Sequence, residues 1–121
     1  MIDSNKKLKR MQLSDALQAY PSPEAASPPR GGWVRAIREA LGMTQAQLGA
    51  RAGISRQSVQ DFERTEADRR ITLDSLDRLA RAMGCRVAYA LVPEGGTLDD
   101  LRERRADALA EALLQPTDHS M

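Results

Sequence analysis

Histidine and cysteine, which often carry catalysis and metal binding, are almost missing from this chain of 121 residues. The single histidine, His119, is the third residue from the end, and the single cysteine is Cys85. We therefore expect no His-based catalytic pair or triad, no internal disulfide and no zinc-ligand spacing. The glycine pairs Gly31-Gly32 and Gly95-Gly96 do not build a phosphate loop. The sequence predicts a protein that is not an enzyme and uses no metal or cofactor, with Cys85 as a small core residue rather than a reactive thiol.

Aromatic residues and long apolar runs are also scarce. Aromatics make up 3% of the chain, so its 41% of hydrophobic residues must build a core from Leu, Ala, Val and Ile. No apolar run approaches the ~20 residues of a membrane span, and the N-terminal residues are too polar for a signal peptide. A lone cysteine fits a reducing compartment, and we expect a cytoplasmic protein of one domain, with or without ordered arms.

A net charge of +1 hides an uneven distribution. Residues 30–70 carry eight Arg against five acids, whereas residues 71–121 carry six Arg against nine acids. A basic central segment is what phosphate binding requires.

Residues 1–32 are predicted to be an N-terminal arm followed by a linker. Residues 4–19 can form a helix whose start carries a cluster of lysines, and residues 21–32 contain four prolines and two glycines. We interpret the arm as a solvated basic helix or a frayed segment. The alternatives are a DNA-contacting arm and a dimer lid.

The stretch Met43–Arg64 has the pattern of two short helices joined by a sharp turn. Thr44 and Gln47 form a capping box at the start of the first helix, and Gly53 is suited to its left-handed end. Ser55 then caps a second helix, and Gly49 permits a close approach between the two. The buried seam is predicted to contain Leu48, Ala52, Ile54, Val59 and Phe62. This pattern predicts a helix-turn-helix whose second helix faces the DNA major groove.

Helices are expected on both sides of this motif. Trp33 to Leu41 is predicted to be a helix with an apolar face of Val34, Ile37 and Leu41, with Trp33 beside them and Gly42 as its stop. Thr72 caps another helix that runs to Met83, where Gly84 ends it. Its inward residues are predicted to be Leu73, Leu76, Leu79, Ala80 and Met83. Residues 33–84 therefore form the predicted DNA-binding domain.

The pattern changes in residues 85–121, which we assign to dimerisation. Cys85–Val92 alternates in the manner of one β-strand, and it would need an identical strand from another subunit as its partner. Thr97 caps a last helix that ends near Leu114, with an apolar stripe that we expect to cover the junction. The predicted dimer contacts are Val87, Tyr89, Leu91, Leu98 and Leu101. The expected fold is mainly α, with four to five helices in the helix-turn-helix domain, this strand and a C-terminal helix.

Several polar residues in and around the motif are suited to DNA. Arg56 and Gln57 open the second helix, where Arg can pair with guanine and Gln with adenine. Gln45 can meet a phosphate, and Arg64, Arg69 and Arg70 are further phosphate anchors or a solvated charged loop. Asp61 accepts from cytosine or orients Arg56 or Arg64; we favour orientation. The complete predicted DNA-binding set is Arg38, Thr44, Gln45, Ser55, Arg56, Gln57, Ser58, Asp61, Arg64, Arg69 and Arg70.

Glu63 follows the core residue Phe62 and would lie near Arg38 of the preceding helix. An Arg38–Glu63 ion pair would lock that helix to the recognition helix and aim the guanidinium at a phosphate. The alternative is two independent surface charges.

Three features of the sequence belong together: Arg38, the run Thr44-Gln45…Leu48…Gly53-Ile54-Ser55…Val59…Phe62-Glu63, and the helix end at Gly84. This combination resembles the Xre/Cro-like phage-repressor superfamily. The resemblance covers about residues 33–84 and implies an all-α DNA-binding domain that acts as a dimer. It implies that Gln45, Arg56, Gln57, Ser58 and Asp61 contact DNA and that Arg38 and Glu63 pair.

A further resemblance covers most of the chain. It rests on four segments: Pro-Pro-Arg-Gly-Gly-Trp-Val-Arg-Ala-Ile-Arg-Glu-Ala-Leu-Gly-Met-Thr, Glu66-Ala67-Asp68, Ile71-Thr72-Leu73 and Tyr89-Ala90-Leu91-Val92-Pro93. Together these segments are similar to the family called mobile mystery protein A. Such proteins occur beside a Fic-domain partner in mobile-element contexts, which implies a regulator or an antitoxin-like half of a two-gene module. No Ser/Thr-x-x-x-Glu occurs here, the pattern by which known Fic inhibitory helices act.

Two functions follow as expectations. The first is a dimeric, sequence-specific transcriptional regulator that binds a double-stranded operator and represses its own mobile-element operon. The alternative is an antitoxin-like module that holds or neutralises a Fic-domain partner.

Overall fold

A computed structural model describes residues 2–114 of the chain, so His119 lies outside the described residues. Six α-helices are found in this part: α1 Ile2–Leu17, α2 Trp33–Ala40, α3 Gln45–Ala52, α4 Arg56–Ala67, α5 Leu73–Ala82 and α6 Leu98–Leu114. They fall into two compact units. The central unit is Ala26–Tyr89, and the terminal unit consists of residues 2–25 together with 90–114.

The core of the central unit takes one fully buried side chain from each of its four helices. These are Val34 of α2, Leu48 of α3, Val59 of α4 and Leu79 of α5. Partly buried residues pack around them, namely Met43, Ala52, Ile54, Phe62, Ile71, Leu76, Ala82 and Met83. The predicted seam of the helix-turn-helix is thus confirmed, and the core is aliphatic apart from Phe62.

Helix boundaries in the central unit follow the predicted caps. The Thr44 side chain accepts a hydrogen bond from the Gln47 N–H, and the Gln47 side chain accepts one from the Thr44 N–H. Gly53 ends α3 in the left-handed conformation, at φ 73°. Ser55 and Thr72 cap α4 and α5 through their hydroxyl oxygens.

Residues at helix ends are more exposed than predicted. Leu41, with 55% of its surface exposed, is the C-cap of α2 and lies past its last helical turn. Leu73 is 49% exposed and is the first residue of α5. A helical side chain leans toward the turn before it, and a first residue has no such turn to pack on. The prediction that both leucines face the core is therefore wrong.

The predicted strand Cys85–Val92 is absent from the described residues, where no β-strand is found. Residues 86–92 lie outside any helix or turn and make no backbone–backbone hydrogen bond within the described chain. Alternation of apolar residues predicts an extended backbone, but a strand also needs a neighbour that completes its hydrogen-bond ladder. The described chain supplies no such neighbour.

In the terminal unit, the C-terminal half of α1 contacts the start of α6. Arg10 Nε donates to Asp99 Oδ1 at 2.5 Å, and the Leu98 N–H donates to Ser14 Oγ at 3.4 Å. Thr97 caps α6 as predicted: its hydroxyl accepts from the Asp100 N–H, and its own N–H donates to the Asp100 carboxylate. These two hydrogen bonds with Thr97 lower the pKa of Asp100. Among residues 4–25 and 90–114 no side chain is fully buried.

Candidate nucleic-acid interface

The turn between α3 and α4 is held tightly at Gly49. The Ile54 N–H donates to the Gly49 carbonyl oxygen at 2.9 Å. A Cβ on Gly49 would lie 2.7 Å from the Ile54 carbonyl oxygen, closer than real Cβ contacts. The absence of a side chain therefore lets the turn fold directly onto α3, as the sequence predicts.

Glu63 connects three elements around the start of α3. Arg38 Nε donates to Glu63 Oε2 at 2.6 Å and Arg38 Nη2 donates to Oε1 at 3.1 Å. Gln45 Nε2 also donates to Glu63 Oε1 at 3.1 Å, and Arg38 Nη1 donates to the Met43 carbonyl oxygen at 2.9 Å. The predicted Arg38–Glu63 pair is confirmed, and it fixes α2, the start of α3 and α4 relative to one another.

Burial makes this pair different from a surface ion pair. Arg38 is 9% exposed and Glu63 is 6% exposed. The hydrogen bond with Glu63, opposed by burial, raises the pKa of Arg38 above its ordinary value. The guanidinium therefore stays charged throughout the working pH range, and most of its donors are occupied within the domain.

A second carboxylate on α4 was not foreseen from the sequence. Glu66 accepts hydrogen bonds from the Trp33 N–H at 2.6 Å and from the Val34 N–H at 2.9 Å, so it caps α2 from another helix. Gly32 precedes this helix start at φ 95°, and a Cβ there would lie 2.7 Å from the Glu66 carboxylate. The available signal was that α2 starts after two glycines, with no Ser, Thr, Asp or Asn to cap it.

Arg78 of α5 supplies a further support that the sequence did not reveal. Its Nε donates to the Ala52 carbonyl oxygen at 3.0 Å, and its Nη2 donates to that of Gly53 at 3.4 Å. The end of α3 is thus capped by a cation, which is favourable at a helix C-terminus. The two helices of the motif are held from the α2 side and from the α5 side.

The outward face of α4 is polar and accessible. Arg56 and Gln57 are exposed at its start, and Ser58 is partly buried. Arg56 makes no ion pair or hydrogen bond with any described residue. Asp61 Oδ1 accepts from Gln57 Nε2 at 3.2 Å and from Arg64 Nη2 at 2.5 Å. Of the alternatives for Asp61, the structure shows contact with Arg64 and Gln57 rather than Arg56.

The remaining predicted contacts occupy two places. The Thr44 and Ser55 hydroxyls are engaged as helix caps at the starts of α3 and α4. Arg69 and Arg70 lie in the loop after α4, where Arg69 has a left-handed φ of 61°. Both side chains are exposed, and Arg70 lies 3.8 Å from Asp68.

A polar cleft brings part of the predicted set together. Arg38, Gln45, Glu63 and Arg64 line it. Its other walls include Gln60 of α4 and Arg35, which was not predicted as a site residue; Arg69 and Arg70 are not part of it. Arg35 pairs with Glu39 at 3.5 Å on the surface of α2. The cleft adds exposed guanidinium groups beside the recognition helix.

The predicted dimer contacts divide between the two units. In the central unit Val87 is partly buried and Tyr89 is exposed. In the terminal unit Leu91 and Leu101 are exposed and Leu98 is partly buried. No described helix is long and apolar enough to cross a membrane. The described residues also contain no cluster of three or more potential metal ligands.

The chain thus has a tight turn between α3 and α4, support for both helices from two sides and an exposed polar face on α4. These features define a helix-turn-helix domain. Residues 34–89, which run from the second residue of α2 to beyond the end of α5, match the family model described as helix-turn-helix. This match supports the Xre/Cro-like helix-turn-helix superfamily and a function of the DNA-binding transcription regulator kind. No curated protein and no solved structure gave a significant match.

Proposed function

We propose that the protein is a sequence-specific, homodimeric transcriptional regulator that represses its own operon. The observation that supports this most is the contrast between the two sides of α4. Its inner side is fixed to α2 through Glu63 and Glu66, whereas Arg56 and Gln57 at the start of its outer side are accessible. A rigidly held helix with accessible polar side chains suits base readout in a major groove.

In this proposal Arg56 and Gln57 read bases. Arg56 has no partner in the described chain, so both ends of its fork can pair with the acceptors of guanine. Gln57 gives one amide hydrogen to Asp61, which leaves its other hydrogen and its oxygen for adenine. Asp61 acts as a positioning residue that holds Gln57 and Arg64 together.

Phosphates are proposed to be contacted around this centre. At the start of α3, which Thr44 caps, the Gln45 N–H is offered to one phosphate, and Arg38 lies behind it. Ser55 and Ser58 lie at the start of α4, and Arg64, Arg69 and Arg70 supply charge. Two such units on one operator, with recognition helices about 34 Å apart, require a two-fold dimer. The dimer contacts proposed are Val87, Tyr89, Leu91, Leu98 and Leu101.

Base and phosphate contacts can be separated by alanine substitution. We expect Arg56→Ala and Gln57→Ala each to cost about 1–3 kcal/mol on the operator and to relax preference at particular base pairs. Arg64→Ala and Arg70→Ala should weaken all sequences alike. The measurement is affinity for a set of single-base operator variants, each compared with the parent protein. Parent-like readout by the Arg56 and Gln57 variants would show that α4 does not read bases.

The second candidate is an antitoxin-like module that holds a Fic-domain partner, as the resemblance to mobile mystery protein A implies. Exposed leucines in the terminal unit favour a protein partner: Leu8, Leu13, Leu101, Leu109 and Leu113. Co-expression with the neighbouring gene product tests this candidate. A stoichiometric complex that inhibits a Fic enzyme would support it, and separate elution of the two proteins would contradict it.

A further inference from the structure

An apolar groove opens on the central unit. Its walls come from α2, α5 and residues 85–88, and they include Trp33, Ile37, Leu76, Met83 and Val87. The groove encloses about 210 Å³ and its surface is mainly apolar. Trp33, the only tryptophan of the chain, remains 47% exposed. A large aromatic side chain left open in this way has further area to bury.

Tyr89 follows the groove-lining residues directly. Cys85 and Val87 are partly buried, whereas Arg86 and Ala88 are exposed, as expected for an extended backbone. Tyr89 continues the alternating series of Cys85 and Val87, yet it is 65% exposed. The central unit therefore carries an open apolar groove and, next to it, an exposed ring.

We propose that the apolar groove of one copy receives Tyr89 of the partner subunit, and that the two-fold axis repeats this contact in the opposite direction. In an isologous interface each subunit presents the same surface, so this surface must hold both the apolar groove and the Tyr89 ring that enters the groove of the partner. The inference rests on the proposed homodimer and adds the surface that receives the predicted contact Tyr89.

The polar atom of the inserted ring would also find a partner. A buried tyrosine hydroxyl usually needs a hydrogen bond. Arg86 is the one charged residue that lines the apolar groove, and it makes no ion pair or hydrogen bond within the described residues. Its guanidinium can donate to the phenol oxygen at the rim. This complementarity favours a tyrosine over a purely apolar ligand as the occupant.

The available area predicts a weak dimer. Aromatic side chains bury about 150–250 Å² each, so the open parts of Trp33 and Tyr89 from two copies provide on the order of 500 Å². Stable interfaces bury at least about 1,200 Å² in total. Contacts at Trp33 and Tyr89 alone would give an association that operator binding strengthens.

Trp33 reports on the proposed contact without labelling. The full-length protein is diluted over a wide concentration range, and its tryptophan emission is compared with its mass by sedimentation. We expect emission to move to shorter wavelength as dimers form, with the same midpoint in both measurements. Tyr89→Ser should weaken association by on the order of ten-fold and remove the emission shift.

The matched control is Tyr20→Ser, which changes the only other tyrosine and lies in the terminal unit. It should leave the emission shift in place. Ala88→Phe, at an exposed position of the groove wall, should fill the groove from within and weaken association as Tyr89→Ser does. Because this second variant adds apolar area and removes none, weaker association in it would indicate a blocked groove and not misfolding.

Three results would overturn the inference. They are a dimer of parental strength in Tyr89→Ser, association without change in Trp33 emission, and a protein that stays monomeric at all concentrations. A fourth result would overturn it as well: emission that shifts only on removal of a co-purified small molecule would identify a ligand as the occupant. Binding of Tyr89→Ser to a single half-site is measured in parallel. If Tyr89→Ser binds the half-site with parental affinity, DNA binding is intact and the loss of association lies at the groove.

Discussion

Two carboxylates, Glu63 and Glu66, hold the recognition helix to α2, and each does so in a different way. Glu63 neutralises a buried guanidinium, whereas Glu66 satisfies two N–H groups at a helix start. Both lie on the inner side of α4, three residues apart and therefore on the same helix face. The same residues that stabilise the domain thus set the direction in which Arg56 and Gln57 point.

The buried pair gives a prediction at this scale. Arg38→Ala or Glu63→Ala strands the other charge, so each should lower the free energy of unfolding by about 3–5 kcal/mol. A double-mutant cycle by urea denaturation should show strong coupling. The control cycle uses Arg35 and Glu39, an exposed pair on the same helix, whose coupling should stay within about 0.5 kcal/mol. Equal coupling in both cycles would contradict the role assigned to burial.

At the scale of helices, the local signals in the sequence predicted boundaries well. Thr44 with Gln47, Gly53 and Ser55 act on neighbours within a few residues, so their effect can be read from spacing. Glu66 accepts a hydrogen bond from the Val34 N–H, which lies 32 residues away along the sequence, and no local pattern indicates such a contact. The same reason explains the absent strand: alternating apolar residues predict an extended backbone, but pairing depends on a distant or separate chain segment.

The start of α2 provides a test of the capping contact. Gly32→Ala introduces backbone strain and places a Cβ against the Glu66 carboxylate. In a Glu66→Ala background only the backbone strain remains. We expect Gly32→Ala to cost more in the parent than in that background, by about the 0.5–2 kcal/mol of a helix cap. Thermal unfolding of the four proteins measures this difference, and identical costs would exclude the capping role.

At the scale of the whole molecule, the excess of positive charge lies in the segment that contains the helix-turn-helix. Residues 30–70 have three more basic than acidic residues, whereas residues 71–121 have three fewer. The helix-turn-helix, its cap residues and the exposed position of Arg56 and Gln57 could be predicted from the sequence. The positions of Arg35 and Arg78 could not, because they depend on how α2 and α5 pack beside the motif.

Salt dependence of operator binding tests the central claim most directly. Each subunit is proposed to place about three to five basic or amide groups on phosphates. The affinity of the dimer for its own upstream DNA should then fall with salt along a log–log slope of roughly −5 to −9. Scrambled DNA of the same length should bind more weakly at near-physiological salt. A flat slope, or equal affinity for scrambled DNA, would contradict a sequence-specific dimeric regulator.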